Sequence, residues 1–447
     1  MIDFPERLTI SWIKNQYQNR TLTPRQLAEE IIRRSEKYRE YHIWITPPDC
    51  KRIQKYIDVL PEDRENCALW GIPFAVKDNI DVAGMPTTAA CEAFRYEPSE
   101  NAEVVERLIK AGGIPIGKTN LDQFATGLVG TRSPYGETCN ALDPKMISGG
   151  SSSGSAAAVA LGMAAFSLGT DTAGSGRVPA ALNGLIGYKP PLGAWSTKGV
   201  VPACASLDCV TVFTNDLKEV RTVNLSARGT DGECCWSREF LDPAEEIPSK
   251  IYLPEAAPHF FGTYAKLYEH KWEQSVKRLG MSGIKIEYID ISLFSEAASI
   301  LYDGPWIAER WADLGGFVKE NPGKLFPVTE KILRSGDHPD YTASSVFTAM
   351  HQLKEYTLQA NHILKDAVLI MPTAGGTFTR EEVRKNPIET NNQMGLYTNH
   401  CNLLDLCGAA IPHNTRDREL PFGITIFSKA DQEGLVLKTA EKFLETE

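Results

Sequence analysis

Three residues of this sequence, Lys77, Ser151 and Ser175, are of the types that can activate a serine nucleophile. A serine hydroxyl is a poor nucleophile until a base removes its proton. Lysine can be that base only when it is neutral, a state that burial and nearby positive charge favour. A second serine can relay the proton between an amine and a nucleophile that do not touch. The three residues could therefore carry out acyl transfer together, although their spacing alone does not decide it.

Both serines lie in a stretch rich in Gly, Ser and Ala that runs from 148 to 190. Its pattern predicts a tight helix over Ser153–Gly162 and a short buried strand over Ala165–Leu168. A turn over Asp171–Gly176 is expected to open the next helix near Arg177. Because backbone N–H groups point outward at helix N-termini, this turn could stabilise a developing oxyanion.

Lys77 follows an apolar run, Trp70–Val76, that predicts a buried strand. Charged residues at the end of such a strand are where open α/β sheets place their chemistry, but a solvated strand end would explain Lys77-Asp78-Asn79 equally well. Downstream, Asn101–Lys110 has the pattern of an amphipathic helix and Ile114–Gly117 that of the following strand. This β–α–β alternation predicts an α/β fold with a mainly parallel sheet and helices on its faces.

Apolar periodicity and turn residues predict further elements along the chain. They are a helix from Thr23-Pro24, a strand at Trp44-Ile45, a short helix over Leu121–Thr126, a strand over Gly199–Pro202, a polar excursion over 228–250, a strand over Ile284–Ile289, helices over Ser295–Asp313 and Tyr341–Asp366, strands over Ala367–Met371 and Gly423–Phe427, and a helix over Asp431–Glu445.

Two other interpretations of the Gly/Ser-rich stretch start from its turns. Glycine-rich turns at helix starts bind phosphates, but neither a GxxxxGKS/T nor a GxGxxG motif is present. Gly150–Gly154 fits the GxSxG nucleophile elbow with Ser152 at its centre, which requires a strand directly before the turn. Residues 143–146 have the pattern of a poor strand. The residues around the downstream His400 and His413 do not mark either of them as a catalytic histidine.

Three segments decide between these interpretations: GIPFAVKDNID around Lys77, GGSSSGSAAA around Ser151 and GTDTAGSGRVPAALNGLIGYKP around Ser175. They resemble the core of the amidase signature family of Ser–cisSer–Lys amidohydrolases. The order Lys, Ser, Ser and the separation of 24 residues between the serines follow the pattern of that family. The resemblance is strong over about 69–212 and weaker over most of the remaining chain.

The resemblance implies a role for each motif residue. Ser175 would be the acylated nucleophile, Ser151 the proton-relaying serine in a cis peptide, and Lys77 the general base that later acts as general acid. Ser152 and Asp171 would support this geometry, and neither a metal nor a cofactor is implied. The oxyanion hole would consist of the backbone N–H groups of Thr172, Ala173, Gly174 and Ser175.

Further segments, among them TGLVGTRSPYG, GVVPACASLDCVTVF and LYDGPWIAERW, are similar to the allophanate hydrolases within this family. This similarity implies that Tyr302 and Arg310 bind the carboxylate of a small-molecule substrate, allophanate, and that Gly127 lines the pocket. Their eight-residue spacing predicts that Tyr302 and Arg310 lie on nearby faces of one helix. An arginine fork suits a planar carboxylate, and Arg177 could also face the anion.

The implied activity is hydrolysis of the terminal amide of allophanate, which releases ammonia and N-carboxycarbamate. An amidase for another small amide, a non-catalytic scaffold and a glutaminyl-tRNA amidotransferase subunit remain as alternatives. For single residues, a surface salt bridge of Arg310 with Glu309 or Asp313 and a structural role of Arg177 at a helix start also remain open.

The resemblance implies the amidase-signature fold, a large mixed and mainly parallel β-sheet between α-helices, as one domain over 1–447. The core would span about 69–212 and a more variable substrate-side region about 228–345, and the additional C-terminal domain of many relatives is expected to be absent.

Composition and charge favour a soluble, cytoplasmic protein with no nucleic-acid or membrane partner. The formal net charge is −10, whereas a nucleic-acid surface needs a basic face. No apolar run reaches the ~18–20 residues of a membrane span, and the N-terminus lacks a signal pattern. The ten cysteines form no CxxC pair, which indicates free thiols in a reducing compartment. A homodimer is expected from the family resemblance alone.

Overall fold

The computed structural model describes residues 2–64, 66–302, 304–414 and 420–447, with the backbone alone at Tyr302. The strands formed by these residues are β1 (Trp44–Thr46), β2 (Pro73–Lys77), β3 (Ile114–Thr119), β4 (Phe166–Asp171), β5 (Ile186–Lys189), β6 (Cys209–Thr214), β7 (Lys250–Pro254), β8 (Ile286–Ile289), β9 (Ala367–Pro372), β10 (Leu406–Pro412) and β11 (Gly423–Lys429).

The α-helices of the same residues are α1 (Ile10–Gln18), α2 (Pro24–Lys37), α3 (Cys50–Asp58), α4 (Glu103–Lys110), α5 (Ser153–Ala160), α6 (Val178–Leu182), α7 (Leu217–Ala227), α8 (Ala265–Met281), α9 (Ser292–Tyr302), α10 (Ile307–Glu320), α11 (Pro327–Arg334), α12 (Ala343–Ile363), α13 (Arg380–Lys385), α14 (Glu389–Met394), α15 (His400–Leu403) and α16 (Glu433–Leu444). None of the helices in these ranges is both long enough and apolar enough to cross a membrane.

One sheet contains all of these strands, in the order β1-β3-β2-β4-β6-β5-β10-β11-β9-β7-β8. Parallel pairing is confined to two flanks, β3-β2-β4 and β9-β7-β8. The pairs between these flanks, and the pair of β1 with β3, are antiparallel. The predicted α/β class with a mixed sheet is confirmed, but the expectation of a mainly parallel sheet is wrong. The segment between β5 and β6 contains no helix, and only parallel neighbours require a helical crossover.

The flank β3-β2-β4 positions the predicted chemistry. Its parallel strands end at one edge of the sheet, where β2 finishes at Lys77 and β4 at Asp171. The predicted Ala-rich helix is α5, which packs against this flank with Ala157 completely buried. A Cβ atom at Gly154 would lie 2.4 Å from the carbonyl oxygen of Ile43. A glycine is therefore needed at position 154 so that the start of α5 can approach the backbone before β1 closely.

A separate apolar core joins the substrate-side helices to the other half of the sheet. Phe294 and Leu301 of α9 are buried in it together with Ala173, Cys204 and Leu207. The turn after β4 and the segment before β6 therefore contact the same apolar surface.

Most of the predicted elements are confirmed with small shifts at their ends. The helix that starts at Thr23-Pro24 is α2, where Thr23 and Gln26 form a reciprocal capping box. The polar excursion over 228–250 has no helix or strand before β7. The predicted short helix near residue 121 is a single 3₁₀ turn over Gln123–Ala125.

Two predicted elements are wrong. Gly199–Pro202 is not a strand, because Val200 forms only an isolated bridge with Ile80. Ser295–Asp313 is not one helix but parts of α9 and α10, separated by a break that contains Gly304-Pro305. Proline lacks the backbone N–H of a helix interior and disfavours helical geometry in the residue before it. Tyr302 and Arg310 consequently belong to different helices.

Candidate active site

Lys77 at the end of β2 is completely buried, which excludes the interpretation as a solvated strand end. Its Nζ lies 2.7 Å from Oγ of Ser151 and 2.6 Å from Oγ1 of Thr170. Thr170 belongs to β4, the parallel neighbour of β2. The ends of β2 and β4 and the loop before α5 thus hold one amino group between two hydroxyl groups. Sequence reasoning missed Thr170, although it lies directly before the predicted turn at Asp171.

Burial lowers the pKa of Lys77 from 10.5 to about 7, because the interior solvates an ammonium ion poorly. The negative charges of Asp208, Asp122 and Asp171 act in the opposite direction and limit this shift. A large fraction of the amino groups is therefore neutral at neutral pH, as a general base requires.

Ser151 precedes α5, and the Gly150–Ser151 peptide bond is cis, as the family resemblance implied. The Ser151 side chain is completely buried. Its carbonyl oxygen accepts a hydrogen bond from the Asp122 N–H at 3.0 Å. This contact ties the loop before α5 to the loop after β3.

Ser175 lies in the turn between β4 and α6, and its Oγ is 3.5 Å from the carbonyl oxygen of Gly127. The carboxylate of Asp171 shapes this turn from within. It accepts hydrogen bonds from the N–H groups of Gly174 at 2.8 Å and Gly176 at 3.0 Å. Ser175 is thereby fixed between two restrained residues and close to Gly127.

The implied oxyanion hole requires one correction. The N–H groups of Thr172, Ala173 and Ser175 donate to no protein group within the described ranges. The N–H of Gly174 donates to Asp171 instead, so it is already engaged. The Gly174 N–H is consequently not available to an oxyanion, and the role of the other three N–H groups stays a prediction.

Arg177 is also placed differently from the substrate-binding role predicted for it. Its guanidinium is completely buried and donates to both carboxylate oxygens of Asp171, each at 2.9 Å. It also donates to the carbonyl oxygen of Thr398 at 3.2 Å. Although burial opposes ionisation, the Arg177 charge holds the pKa of Asp171 below its usual value. Arg177 therefore has a structural role directly before α6, which agrees with its alternative interpretation as a structural residue at a helix start.

Asp208, just before β6, is a residue that sequence reasoning missed. Its Oδ1 accepts a hydrogen bond from the Thr172 hydroxyl at 2.5 Å. Its Oδ2 accepts from the N–H groups of Ala203 at 2.7 Å and Cys204 at 3.1 Å. Burial raises its pKa to about 6, against the effect of these donors and of the Arg310 charge. An acidic residue directly before an apolar run was the available sequence signal.

Asp122 is a second missed carboxylate. It accepts hydrogen bonds from the N–H groups of Val129, Gly130 and Arg132 at 2.8–3.2 Å and so closes the loop that contains Gly127. Within the described ranges, no three His, Cys, Asp or Glu side chains are grouped closely enough to hold a metal ion.

Arg310 in the first turn of α10 is 1% exposed, and its Nη1 lies 3.1 Å from Oγ1 of Thr126. It therefore reaches the residue directly before Gly127, whose carbonyl oxygen contacts Ser175. The alternative of a surface salt bridge is wrong, because the Arg310 side chain is buried. The side chain of Tyr302 lies outside the described part of the structure, so its predicted role stays a prediction.

Comparison with known proteins identifies the family. The family model for Amidase matches residues 26–437. The chain belongs to the amidase family. Urea amidolyase of Saccharomyces cerevisiae is 41% identical over 391 residues, which are 86% of this chain and 21% of that relative. A glutamyl-tRNA(Gln) amidotransferase subunit of Thermotoga maritima is 30% identical over 455 residues, or 92% of this chain and 93% of that relative. The chain thus spans about a fifth of the length of the urea amidolyase.

A solved structure of Kluyveromyces lactis allophanate hydrolase has a TM-score of 0.89 and 38% identity, covering 98% of this chain and 72% of that chain. The structure of the Thermotoga maritima amidotransferase subunit has a TM-score of 0.78 and 26% identity, covering 99% and 95%. The predicted amidase-signature fold is confirmed.

We expect Asp171→Asn to lower the free energy of unfolding by about 3–5 kcal/mol, because it leaves the buried Arg177 charge uncompensated. Equilibrium denaturation measures this loss. Glu29→Gln at the exposed Arg25–Glu29 pair is the control and should change stability little. Equal, small effects of the two substitutions would contradict a supporting role for Asp171.

Proposed function

We propose that the chain is an allophanate hydrolase, with Ser175, Ser151 and Lys77 as its catalytic residues. The observation that carries the proposal is a buried arginine that contacts the same short loop as the nucleophile. Arg310 contacts Thr126, and the next residue, Gly127, contacts Ser175. A small amide with a carboxylate at its other end matches a guanidinium and a serine that flank one short loop. The similarity to the Kluyveromyces lactis allophanate hydrolase supports the same substrate.

In the proposed mechanism, the Ser175 oxygen attacks the terminal carboxamide carbon of allophanate. Ser151 accepts the Ser175 proton while it passes its own to the neutral amino group of Lys77, which it contacts at 2.7 Å. The N–H groups of Thr172, Ala173 and Ser175 stabilise the developing oxyanion. The proton returns from Lys77 through Ser151 to the nitrogen of the carboxamide, and ammonia leaves.

Water then attacks the acyl-enzyme, and the same relay removes its proton. The collapse of this second intermediate restores the Ser175 hydroxyl and releases N-carboxycarbamate, which can lose carbon dioxide. The amide bond of the substrate is broken by hydrolysis, so no oxidant or reductant is consumed.

Arg310 is proposed to bind the substrate carboxylate, since a guanidinium offers paired donors to a planar anion. Tyr302 is proposed as its partner on the basis of the family resemblance. Gly127 is proposed to line the pocket. A Cβ atom there would lie 2.6 Å from the Asp122 carboxylate, so the loop has no room for a side chain on that side.

A homodimer and a cytoplasmic location are further proposals. The dimer comes from the family resemblance. The ten cysteines are all free thiols, which suits a reducing compartment.

The decisive activity measurement is ammonia release from allophanate by the purified protein. We expect release with the wild type and none above background with Ser175→Ala, because the nucleophile is lost. Urea, biuret and malonamide are the neutral comparison substrates. Activity on these neutral amides without activity on allophanate would retain the catalytic residues and contradict the proposed substrate.

Arg310→Lys should lower kcat/KM for allophanate by about ten- to a hundredfold, because lysine keeps the charge but lacks the paired donors. Turnover of a neutral amide should change far less. Arg25→Lys, at an exposed residue of α2, is the matched control. An equal loss for anionic and neutral amides would argue against carboxylate binding by Arg310.

The rate should increase with pH through about 7, because Lys77 is the base in its neutral form. The kcat/KM profile between about pH 6 and 9 measures this midpoint. Asp208→Asn removes a charge that raises the pKa of Lys77, so its midpoint should move to lower pH. A midpoint near the ordinary lysine value, or one that this substitution leaves in place, is the contrary result.

A further inference from the structure

The turn 172–175 is called the oxyanion turn below, and the segment 203–208 the bridging turn. The bridging turn lies between the oxyanion turn and α10, the helix that carries Arg310. At one end, Asp208 accepts the Thr172 hydroxyl hydrogen bond at 2.5 Å. The same carboxylate accepts hydrogen bonds from the N–H groups of Ala203 and Cys204. These hydrogen bonds fix the backbone of the bridging turn. The Asp208 carboxylate therefore joins the oxyanion turn to the bridging turn.

At its other face, the bridging turn is held by Glu309 in the first turn of α10. Glu309 Oε1 accepts the Ser206 N–H at 2.7 Å. Its Oε2 accepts the Ser206 hydroxyl at 2.6 Å and the Cys204 thiol at 3.0 Å. The Glu309 carboxylate thus receives three donors from two residues of the turn.

The contacts of Glu309 help to hold the start of α10, together with the burial of Ile307. The break at Gly304-Pro305 separates α10 from α9, and Trp306 provides no side-chain cap. Neighbouring helical residues point about 100° apart. Glu309 therefore faces the bridging turn while Arg310 faces Thr126, and fixing the first side chain orients the second.

We propose that Glu309 is a positioning residue that sets the location of Arg310 relative to the oxyanion turn, so that preference for an anionic amide depends on it. This inference rests on the proposed function. The hydrogen bonds of Glu309 go to Cys204 and Ser206 rather than to the proposed catalytic residues. Glu309 acts through the bridging turn on one side and through α10 on the other.

Glu309→Gln preserves the length of the side chain but replaces one acceptor oxygen with an NH₂ group. If the NH₂ group takes the place of Oε1, the Ser206 N–H loses its acceptor. If it takes the place of Oε2, the Ser206 hydroxyl and the Cys204 thiol lose theirs. A displacement of about 1 Å at a substrate-positioning group costs about a hundredfold in rate. The loss should fall on substrates whose carboxylate needs Arg310.

The test compares kcat/KM for allophanate with kcat/KM for biuret, in which a carboxamide replaces the carboxylate. We expect Glu309→Gln to lower the allophanate-to-biuret ratio by about tenfold or more. Asp313→Asn, an equivalent substitution at an exposed residue of α10, should leave the ratio unchanged. Ser206→Ala removes one donor and should lower the ratio to a smaller extent.

Equal losses on both substrates in Glu309→Gln would overturn the inference, because a merely structural role affects both alike. If Glu309→Gln does not fold, Ser206→Ala decides, and an unchanged ratio overturns the inference. A wild type without activity on allophanate would instead refute the proposed function. The wild-type assay comes first, so the two failures are distinguishable.

Discussion

The amino group of Lys77 is buried between two hydroxyl groups, with no carboxylate in hydrogen-bonding contact among the described residues. Burying an ammonium ion is costly, and hydroxyl groups compensate only part of that cost, so the neutral amine is favoured. Three carboxylates at longer range keep the pKa near neutrality rather than far below it. The parallel register of β2 and β4, which places Lys77 beside Thr170, is therefore a requirement of the proposed chemistry.

Buried carboxylates organise the loops around this amine. Asp122, Asp171 and Asp208 each accept backbone N–H groups from a different loop, which provides rigid turns without regular secondary structure. The same charges act on the pKa of Lys77. Loop geometry and base strength are thus coupled, and a substitution at one of these carboxylates alters both. The Arg177 charge compensates the charge of Asp171. Asp122 and Asp208 accept their hydrogen bonds from other groups.

The residues of the proposed chemistry could be predicted because their motifs are local and long. Lys77, Ser151 and Ser175 lie in continuous segments whose residue types are specific. The contacts of Asp208 and Glu309 could not be predicted, since they join segments that are distant in the sequence through tertiary packing. Gly304-Pro305 indicates a break in the substrate-side helix, whereas the apolar pattern on both sides of it favours one continuous helix. The antiparallel centre of the sheet depends on strand order, which periodicity does not encode.

The proposed chemistry requires Lys77 to be neutral at working pH, and its ionisation can be followed directly. NMR of protein labelled with ¹³C at the lysine Cε atoms gives one titration curve per lysine, and Lys77→Met assigns the curve that disappears. We expect a midpoint at about 7 for that signal. A signal that titrates at the ordinary lysine value of 10.5 would mean that Lys77 remains an ammonium ion and cannot be the base.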